Sequence, residues 1–443
     1  MSYQPMKGTD PQHNLSDANG EQIRRKQWIV LFATMFCYLF FYTGRQVFGF
    51  AIPGIQDETG LSATALGLVS TCLLWTYAIG QAINGNLADK FGGRQIMSLG
   101  ALASTVVNWV VSLMSSLGGL AVAWGVNGYF QAMGWAAGGR VLSNWWPSSE
   151  RGKTYGFYVF AAGTGSVVAF ATSVLVLDVF GLDWRWLFRI PVLLMLLGGV
   201  TFFLLVRNRP SDLGIRADLT SDESSEEPTR SGRDAESAAP TESSRARYLH
   251  VLRIPTIWLT GIAIGFQNAA RYGLLVWVPV HFLGQNWESG QQPGGVNPLW
   301  ISIALPVGMA VGALVNGQIS DRLFKASRSK PIVLFMLLGA CSGAAMYVIP
   351  TDRAMLAVIV LFLTGFFVYG PQASFWALCP DLAGTARAGT ATGVVNFFAY
   401  LFAGVGEPLI GHFIDASGST SPVFVIVAIC CVSSALFAAA IRR

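Results

Sequence analysis

Apolar windows of about 20 residues recur about a dozen times along the chain, and each is long enough to cross a bilayer as a helix. The composition agrees, because 53% of the 443 residues are hydrophobic and 12% are charged, whereas about a quarter are charged in soluble domains. The sequence therefore predicts an all-α integral membrane protein with twelve spans. Their predicted ranges are 28–50, 65–87, 95–115, 118–138, 155–178, 188–206, 257–282, 299–319, 331–350, 354–377, 389–411 and 422–440.

The distribution of Lys and Arg predicts how these spans are oriented. Of the 29 basic residues, 24 fall in the loops on the side of the two termini. The opposite loops hold three, Arg185, Arg189 and Arg353. By the positive-inside rule, both termini are predicted to be cytoplasmic. The net charge of +5 therefore reflects topology, and it does not indicate a nucleic-acid partner.

A polar segment divides the chain into two halves. Ser211 to Arg247 holds nine acidic and five basic residues and almost no large apolar side chain, which is typical of a disordered linker. We therefore predict a cytoplasmic tail over residues 1–27, a six-helix half over 28–206, a cytoplasmic linker over 207–252, and a second six-helix half over 253–443.

Two arginines lie inside the apolar runs. Arg45 falls within Trp28 to Ile52, which we read as one spanning helix, and Arg271 lies near the middle of Ile257 to Phe282. An ionised group in hydrocarbon costs roughly 2.5 to 3.5 kcal/mol by insertion assays, so such residues usually face a water-filled cavity or a partner. No carboxylate stands beside either arginine in the sequence. This pattern predicts an anion site in which the anion is the counter-charge.

Other interpretations of the charged residues in the spans stay open at this point. Arg45 could extend to the outer surface, because it lies toward that end of its span. Arg271 could bond backbone carbonyls at a helix break. Glu407, beside Pro408 in the eleventh span, is the acidic residue that lies clearly within an apolar run. It could carry a proton, pair with an arginine, or face the outer vestibule.

A glycine-rich motif after the second span occurs twice. The stretch Gly85 to Arg94 reads GNLADKFGGR, and its glycines permit a tight turn between helices. Gly317 to Arg322, reading GQISDR, repeats its first half 232 residues later. Each intramembrane arginine precedes its copy by a similar distance, 40 and 46 residues. The two arginines are therefore predicted to occupy equivalent positions in two pseudo-symmetric halves.

The first copy resembles the signature loop of the major facilitator superfamily. A wider set of motifs, together with the two arginines, is similar to the organophosphate:phosphate antiporter family, which includes the bacterial glycerol-3-phosphate and hexose-6-phosphate transporters. That set comprises Gly134-Trp135, Gly139-Arg140, Trp145-Trp146-Pro147, Glu150-Arg151-Gly152, Arg207-Asn208-Arg209-Pro210, Arg271-Tyr272-Gly273, Tyr369-Gly370-Pro371, Asp381-Leu382-Ala383 and Ala388-Gly389-Thr390-Ala391.

This resemblance implies alternating access, in which two halves rock about a central site and exchange a sugar phosphate or glycerol phosphate for inorganic phosphate. It implies that Arg45 and Arg271 bind the phosphoryl group, whose oxygens match the guanidinium fork. The further candidate substrate-binding residues are Tyr38, Tyr42, Tyr77, Gln81, Tyr369 and Tyr400. The candidate residues of the conformational switch are Asp89, Arg94, Arg140, Glu150, Arg151, Asp321 and Arg322.

Two positions depart from the family pattern and leave the organic group of the substrate open. Gln81 stands where the glycerol-phosphate and hexose-phosphate members resemble each other in having lysine. Ala162 stands where many members have a histidine. A larger or less charged organic group is compatible with both changes.

Two other functions compete with phosphate exchange. One is a membrane receptor for an external sugar phosphate, and the other is a proton-coupled transporter of another organic anion, in which Glu407 would matter. The glycine-rich stretches lack the Gly-Lys-Ser/Thr ending of a nucleotide-binding loop, and no catalytic Ser, His and Asp set stands out. We therefore expect neither an ATP-driven pump nor an enzyme. The protein is expected to be a monomer in the inner membrane that holds no cofactor and no metal.

Overall fold

The computed structural model describes residues 11–146, 148–213, 244–283, 298–324, 328–349, 353–383 and 388–441. These residues form helices joined by short turns, and no strand occurs among them. The helices are α1 (Pro11–Phe41), α2 (Phe48–Thr59), α3 (Ala63–Phe91), α4 (Gly93–Val111), α5 (Leu117–Gln131), α6 (Met133–Trp145), α7 (Ser148–Val174), α8 (Pro191–Leu205), α9 (Ser244–Leu252), α10 (Pro255–Leu283), α11 (Pro298–Arg322), α12 (Ser329–Val348), α13 (Ala354–Tyr369), α14 (Gln372–Ala383), α15 (Ala388–Ser417) and α16 (Pro422–Ala439).

Local sequence explains where several of these helices begin and end. The Ser62 and Ser116 side chains accept hydrogen bonds from the backbone of the first turns of α3 and α5, as N-cap residues do. Pro191 stands in the first turn of α8, where a missing N–H costs nothing. Gly60 ends α2 with a φ of 67°, and Gly92 alone joins α3 to α4 with a φ of 91°, a region that favours glycine.

Apart from the nine-residue helix α9, the described helices group into twelve long segments, once α1 is joined to α2, α5 to α6, and α13 to α14. Eight of these segments are long and apolar enough to cross a membrane. The other four are α4, α5 with α6, α10 and α11, and each carries a buried polar residue, namely Asn108, Asn127, Arg271 and Asn316. In α11 the apolar stretch Ile303–Asn316 is shorter than the others. The segments match the twelve predicted spans, which confirms the all-α class.

The two halves meet through contacts that repeat with approximate two-fold symmetry. The second span of the first half, α3, packs against α15, and the second span of the other half, α11, packs against α7. Between these pairs, α2 packs against α10. Because α7 and α15 are the fifth spans of their halves, both α3–α15 and α11–α7 pair a second span with a fifth. This repetition is the pseudo-symmetry that the duplicated motif predicted.

One end of the bundle, which we call the linker face, contains Gln27, Trp145 and Arg207. At the linker face, the Gln27 side-chain N–H donates to the Trp145 carbonyl at 2.7 Å, and the Trp145 indole N–H donates to the Arg207 carbonyl at 2.9 Å. The last helix also ends there, since Ile441 shares a buried cluster with Val251 of α9. The opposite end is the far face.

At the far face the two halves are closed against each other. The Asp415 carboxylate, near the end of α15, accepts hydrogen bonds from the backbone N–H groups of Ala63 and Thr64 at 2.9 and 2.8 Å. Deeper in the bundle, the Thr71 hydroxyl of α3 donates to the Gly404 carbonyl of α15 at 2.5 Å. We call this contact zone between the halves the far-face seam.

Glycines allow the backbones to approach closely along the far-face seam. A Cβ placed on Gly67 of α3 would lie 2.6 Å from the Glu407 carbonyl oxygen of α15. A Cβ on Gly49 of α2 would lie 2.4 Å from the Val276 carbonyl oxygen of α10, and Gly411 is equally crowded by the start of α3. Any larger residue at these positions must push the helices apart.

The first predicted span is confirmed as one segment long and apolar enough to cross a membrane, but its helix is interrupted. α1 ends at Phe41, a 3-10 turn covers Tyr42–Gly44, and α2 begins at Phe48. α2 then continues to Thr59, nine residues beyond the predicted end of the first span at residue 50. The fourth and tenth spans are also broken, at residues 132 and 370–371. In the tenth span Pro371 stands at the break, where it has no backbone N–H to donate and its ring crowds the carbonyl of the preceding turn.

Helical structure also extends into the predicted tail and linker. α1 begins at Pro11, inside the predicted tail 1–27, and α9 occupies the end of the predicted linker 207–252. Residues 1–10 and 214–243 lie outside the described residues, so the predicted disorder of the linker stays a prediction.

We expect Gly67→Ala to open the far-face seam, because the new methyl group would overlap a backbone carbonyl, and such overpacking typically costs about 1 to 3 kcal/mol. Spin labels at Asp57 and Ala416, which are exposed on opposite sides of the seam, would report the change in a cysteine-free background. The population with longer label separations should increase.

Gly393→Ala is the matched control, because Gly393 lies in α15, the helix that faces Gly67, and an added Cβ there would have no atom within 4 Å. It should leave the distance distribution unchanged. An unchanged distribution in Gly67→Ala would contradict the assignment of a tight seam.

Candidate functional site

A cavity of about 550 Å³ lies between the two halves. It extends from the middle of the bundle toward the linker face, where Gly156 and Thr392 near the starts of α7 and α15 border it. Among the described residues that line it, Arg271 is the charged one. The other predicted site residues that line it are Tyr38, Tyr42, Tyr77, Gln81, Tyr369 and Tyr400. Arg45 does not belong to this lining.

Arg45 lies behind three tyrosine rings, in the interruption between α1 and α2. Its guanidinium carbon is 4.0 Å from the ring centre of Tyr42, 5.3 Å from that of Tyr77 and 5.9 Å from that of Tyr38. Cation–π contacts of this kind stabilise a desolvated cation. The residue is only 8% exposed. Arg45 therefore points into the bundle and does not extend to the far surface.

Arg271 occupies the corresponding place in the second half, but its helix is continuous. α10 runs unbroken from Pro255 to Leu283, so the alternative of an arginine that serves a helix break does not apply. The Arg271 guanidinium carbon lies 4.4 Å from the Tyr369 ring centre and 5.1 Å from that of Tyr272. The residue is 5% exposed.

Both guanidinium groups keep buried N–H donors without a hydrogen-bond partner. These donors are Nε and Nη1 of Arg45 and Nε of Arg271. In the part of the chain that the structure describes, the ion pairs are Arg185 with Glu58 and Arg328 with Asp381, and neither involves these two arginines. A buried unpaired donor costs about 1 to 3 kcal/mol, and more when it is charged. An anion that reached these donors would remove that penalty.

A chain of tyrosine rings connects the surroundings of the two arginines. The Tyr77 and Tyr400 ring centres are 4.6 Å apart, and those of Tyr400 and Tyr272 are 5.9 Å apart. Tyr77 contacts Arg45 and Tyr272 contacts Arg271, so the chain crosses from one half to the other. Tyr272 was not among the predicted site residues, although its position directly after Arg271 could have indicated that it lies beside that guanidinium group.

Buried amides brace the backbone immediately before Arg45. The Gly44 carbonyl accepts hydrogen bonds from the side-chain N–H groups of Asn127 at 2.7 Å and Asn108 at 3.2 Å. The Ser104 hydroxyl donates in turn to the Asn127 side-chain oxygen at 2.6 Å. All of these side chains are fully buried. They satisfy a carbonyl that the helix interruption leaves free, and they thereby position Arg45.

Glu407 lies in the far-face seam and is 1% exposed. Its Oε2 accepts a hydrogen bond from the Trp277 indole N–H at 2.9 Å, and its Oε1 has no partner. It therefore does not face an open vestibule. Within the described residues it forms no ion pair with either arginine.

The described candidate switch residues lie at the linker face. The Arg94 backbone N–H donates to the Asn208 side-chain oxygen at 2.9 Å, and its Nε donates to the Phe203 carbonyl near the end of α8 at 2.7 Å. Arg140 lines a smaller cavity of about 270 Å³ together with Lys90 and Asn208. The remaining candidates have side chains outside the described part, and they are Asp89, Glu150, Arg151, Asp321 and Arg322.

Comparisons with known proteins agree with this architecture. The chain matches the family model described as Major Facilitator Superfamily over residues 34–407. The glycerol-3-phosphate transporter of Bacillus subtilis is 28% identical over 392 residues, which cover 87% of this chain and 84% of that protein. The membrane sensor protein UhpC of Salmonella typhimurium is 28% identical over 410 residues, which cover 89% and 88%.

Among solved structures, a bacterial homologue of the human lysosomal transporter Spinster, in an inward-facing and occupied conformation, matches with a TM-score of 0.72. Its sequence identity is 16%, and the match covers 93% of this chain and 96% of that chain. At this identity the match supports the fold alone. The family model spans most of the sequence, and the two-half, twelve-span architecture agrees with it. The chain therefore belongs to the Major Facilitator Superfamily, and within it the chain is similar to the organophosphate:phosphate antiporters.

Proposed function

We propose that the protein is a secondary transporter that exchanges an organic phosphate for inorganic phosphate by alternating access. The observation that carries this proposal is the pair of buried guanidinium groups, Arg45 and Arg271, which keep unpartnered N–H donors in the middle of the bundle. Guanidinium groups bind phosphoryl oxygens through two parallel hydrogen bonds. The printed name of the Bacillus subtilis relative, a glycerol-3-phosphate transporter, supports a phosphate ester as the ligand.

We assign the linker face to the cytoplasm on the distribution of Lys and Arg. In that orientation the present conformation is open toward the cytoplasm, and the far-face seam closes it from outside. Substrate would enter from the linker face and meet Arg271 in the cavity lining. Contact with Arg45 would require Tyr42 and Tyr77 to move aside, because their rings lie against that guanidinium group.

Charge explains why exchange would be obligatory. Closing the cavity without an anion would leave two guanidinium groups without water and without counter-charge, which is strongly unfavourable in a low dielectric. A bound phosphate neutralises them and makes contacts with both halves. Because a ligand shifts an equilibrium only by its differential affinity for the two states, the loaded carrier would cross more readily than the empty one.

Glu407 favours a second candidate function, the proton-coupled transport of an organic anion. A carboxylate with one hydrogen bond in a buried seam pays a large desolvation penalty, so closing the seam would favour proton uptake by Glu407. Opening the seam would hydrate the group and allow the proton to leave. A third candidate, a receptor, rests on the printed name of the sensor relative, and it would bind phosphate esters without transporting them.

Arg271→Lys should reduce the exchange of phosphate at least tenfold, because lysine keeps the charge but loses the two parallel hydrogen bonds of the guanidinium fork. The measurement is uptake of radiolabelled phosphate into proteoliposomes with and without internal phosphate. Internal phosphate should stimulate uptake by the wild type and have little effect in the variant.

Arg185→Lys serves as the control, because this arginine pairs with Glu58 outside the cavity, and it should retain wild-type exchange. Equal activity of Arg271→Lys and wild type would contradict the proposed phosphate site. Binding of phosphate without any uptake by correctly inserted wild type would favour the receptor.

Glu407→Gln should abolish the dependence of uptake on external pH if protons drive transport. The amide oxygen can still accept the Trp277 hydrogen bond, but the amide has no proton to release. Uptake would be measured from acidic to neutral pH, with Glu58→Gln as a control at the far face. A pH profile that Glu407→Gln leaves unchanged would rule out this residue as the proton carrier.

A further inference from the structure

In the part of the cavity between Arg271 and the linker face, the two walls differ in chemistry. One wall is formed by α7 and α11, which touch where Gly163 faces Ala310. The described lining residues of these two helices are glycines, alanines, Val159, Phe160 and Leu314. None of them carries a polar side chain. The part of the cavity that would hold the organic group thus has one apolar wall.

The opposite wall offers a short row of uncharged polar groups. Gln81 of α3 and Thr392 and Asn396 of α15 line the cavity there. These side chains donate and accept hydrogen bonds, but they bring no charge to the part of the lining that the structure describes. The two walls together are suited to a ligand with one apolar face and one polar edge.

Two tryptophans, on α6 and α14, also line the cavity, and Gln372 on α14 adds a polar side chain one turn before the second of them. Trp135 of α6 lies face to face with Tyr158, with ring centres 4.7 Å apart and an interplanar angle of 6°, so neighbouring rings hold its orientation. Trp376 of α14 also lines the cavity. Flat rings of this kind stack on planar or apolar groups of a ligand.

A sugar or a glycerol group fits this environment poorly. Its hydroxyl groups point in several directions, and each hydroxyl turned toward α7 and α11 would lose hydrogen bonds to water without replacement. A site that hydrogen-bonds a polyol would present polar groups on both sides. The volume of about 550 Å³ is in the range of pockets for drug-sized ligands, and it exceeds the need of a glycerol ester.

We propose that the organic group of the substrate has a flat apolar face, as in an aryl phosphate ester or an arylphosphonate, and that Phe160 and its wall select it. This inference rests on the proposed phosphate site at Arg271. It adds the chemical class of the organic group, which differs from that of a glycerol phosphate.

The experiment compares inhibitors that share one phosphoryl group. Uptake of radiolabelled inorganic phosphate into proteoliposomes is measured against phenyl phosphate, glycerol 3-phosphate and glucose 6-phosphate. Phenyl phosphate should inhibit at a concentration at least tenfold lower than either of the other esters. Phe160→Ala should raise its inhibitory concentration fivefold or more and leave inhibition by unlabelled inorganic phosphate unchanged.

Phe157→Ala is the matched control on the same helix. Phe157 packs against Trp28, with ring centres 6.2 Å apart, and it does not belong to the described lining of the cavity. Every ester should inhibit phosphate uptake by this variant at the same concentration as it inhibits uptake by the wild type. A structural effect of removing a phenylalanine from α7 would appear in both variants.

Isothermal titration of the purified protein with the same compounds separates the possible failures. If inorganic phosphate and all three esters fail to bind, the proposed function itself fails. If they bind and glycerol 3-phosphate or glucose 6-phosphate equals or exceeds phenyl phosphate, only the present inference is overturned. The inference is also overturned if Phe160→Ala lowers the affinities for inorganic phosphate and phenyl phosphate by the same factor.

Discussion

Two buried cations, Arg45 and Arg271, have no carboxylate partner among the described residues, and they determine how the middle of this protein is built. Each guanidinium group is surrounded by tyrosine rings, whose faces replace part of the lost hydration. The unpartnered N–H groups of Arg45 and Arg271 remain as a penalty that a hydrogen-bond acceptor in the cavity would remove. The central cavity, the interrupted first span and the tyrosine chain all lie around this pair of charges. The rest of the bundle keeps lipid away from them.

The two halves solve the same problem with different backbones. In the second half Arg271 projects from a continuous helix and reaches the cavity. In the first half the helix is interrupted, and Asn127 braces the Gly44 carbonyl so that Arg45 can lie behind the rings. The two arginines therefore occupy equivalent positions, but Arg271 lines the cavity and Arg45 does not. The first-half cation is the more enclosed one, although both descend from equivalent places in the repeat.

The predictable features are those that the bilayer enforces. Twelve spans, two halves and the equivalence of the arginines follow from apolar length, the repeated motif and the cost of buried charge. The interruption at Gly44 was not predictable, because a glycine alone does not break a span, as Gly265 inside the continuous helix α10 shows. It depends on Asn108 and Asn127, which stand more than 60 residues away in the chain. The role of Tyr272 likewise depends on Tyr400 of another helix.

The glycines of the far-face seam have a consequence for how fast the halves can part. Gly49 and Gly67 bring backbone against backbone, and a glycine has no side-chain rotamers to freeze when the contact forms. Separation of these contacts therefore releases little side-chain entropy, and closure loses little. Long interdigitated side chains, by contrast, would gain rotamer freedom when the contact opens and lose it when the contact closes. At Gly49 and Gly67 the seam can therefore open and close with little change in side-chain entropy, whereas the side-chain hydrogen bonds of Asp415 and Thr71 must break and re-form.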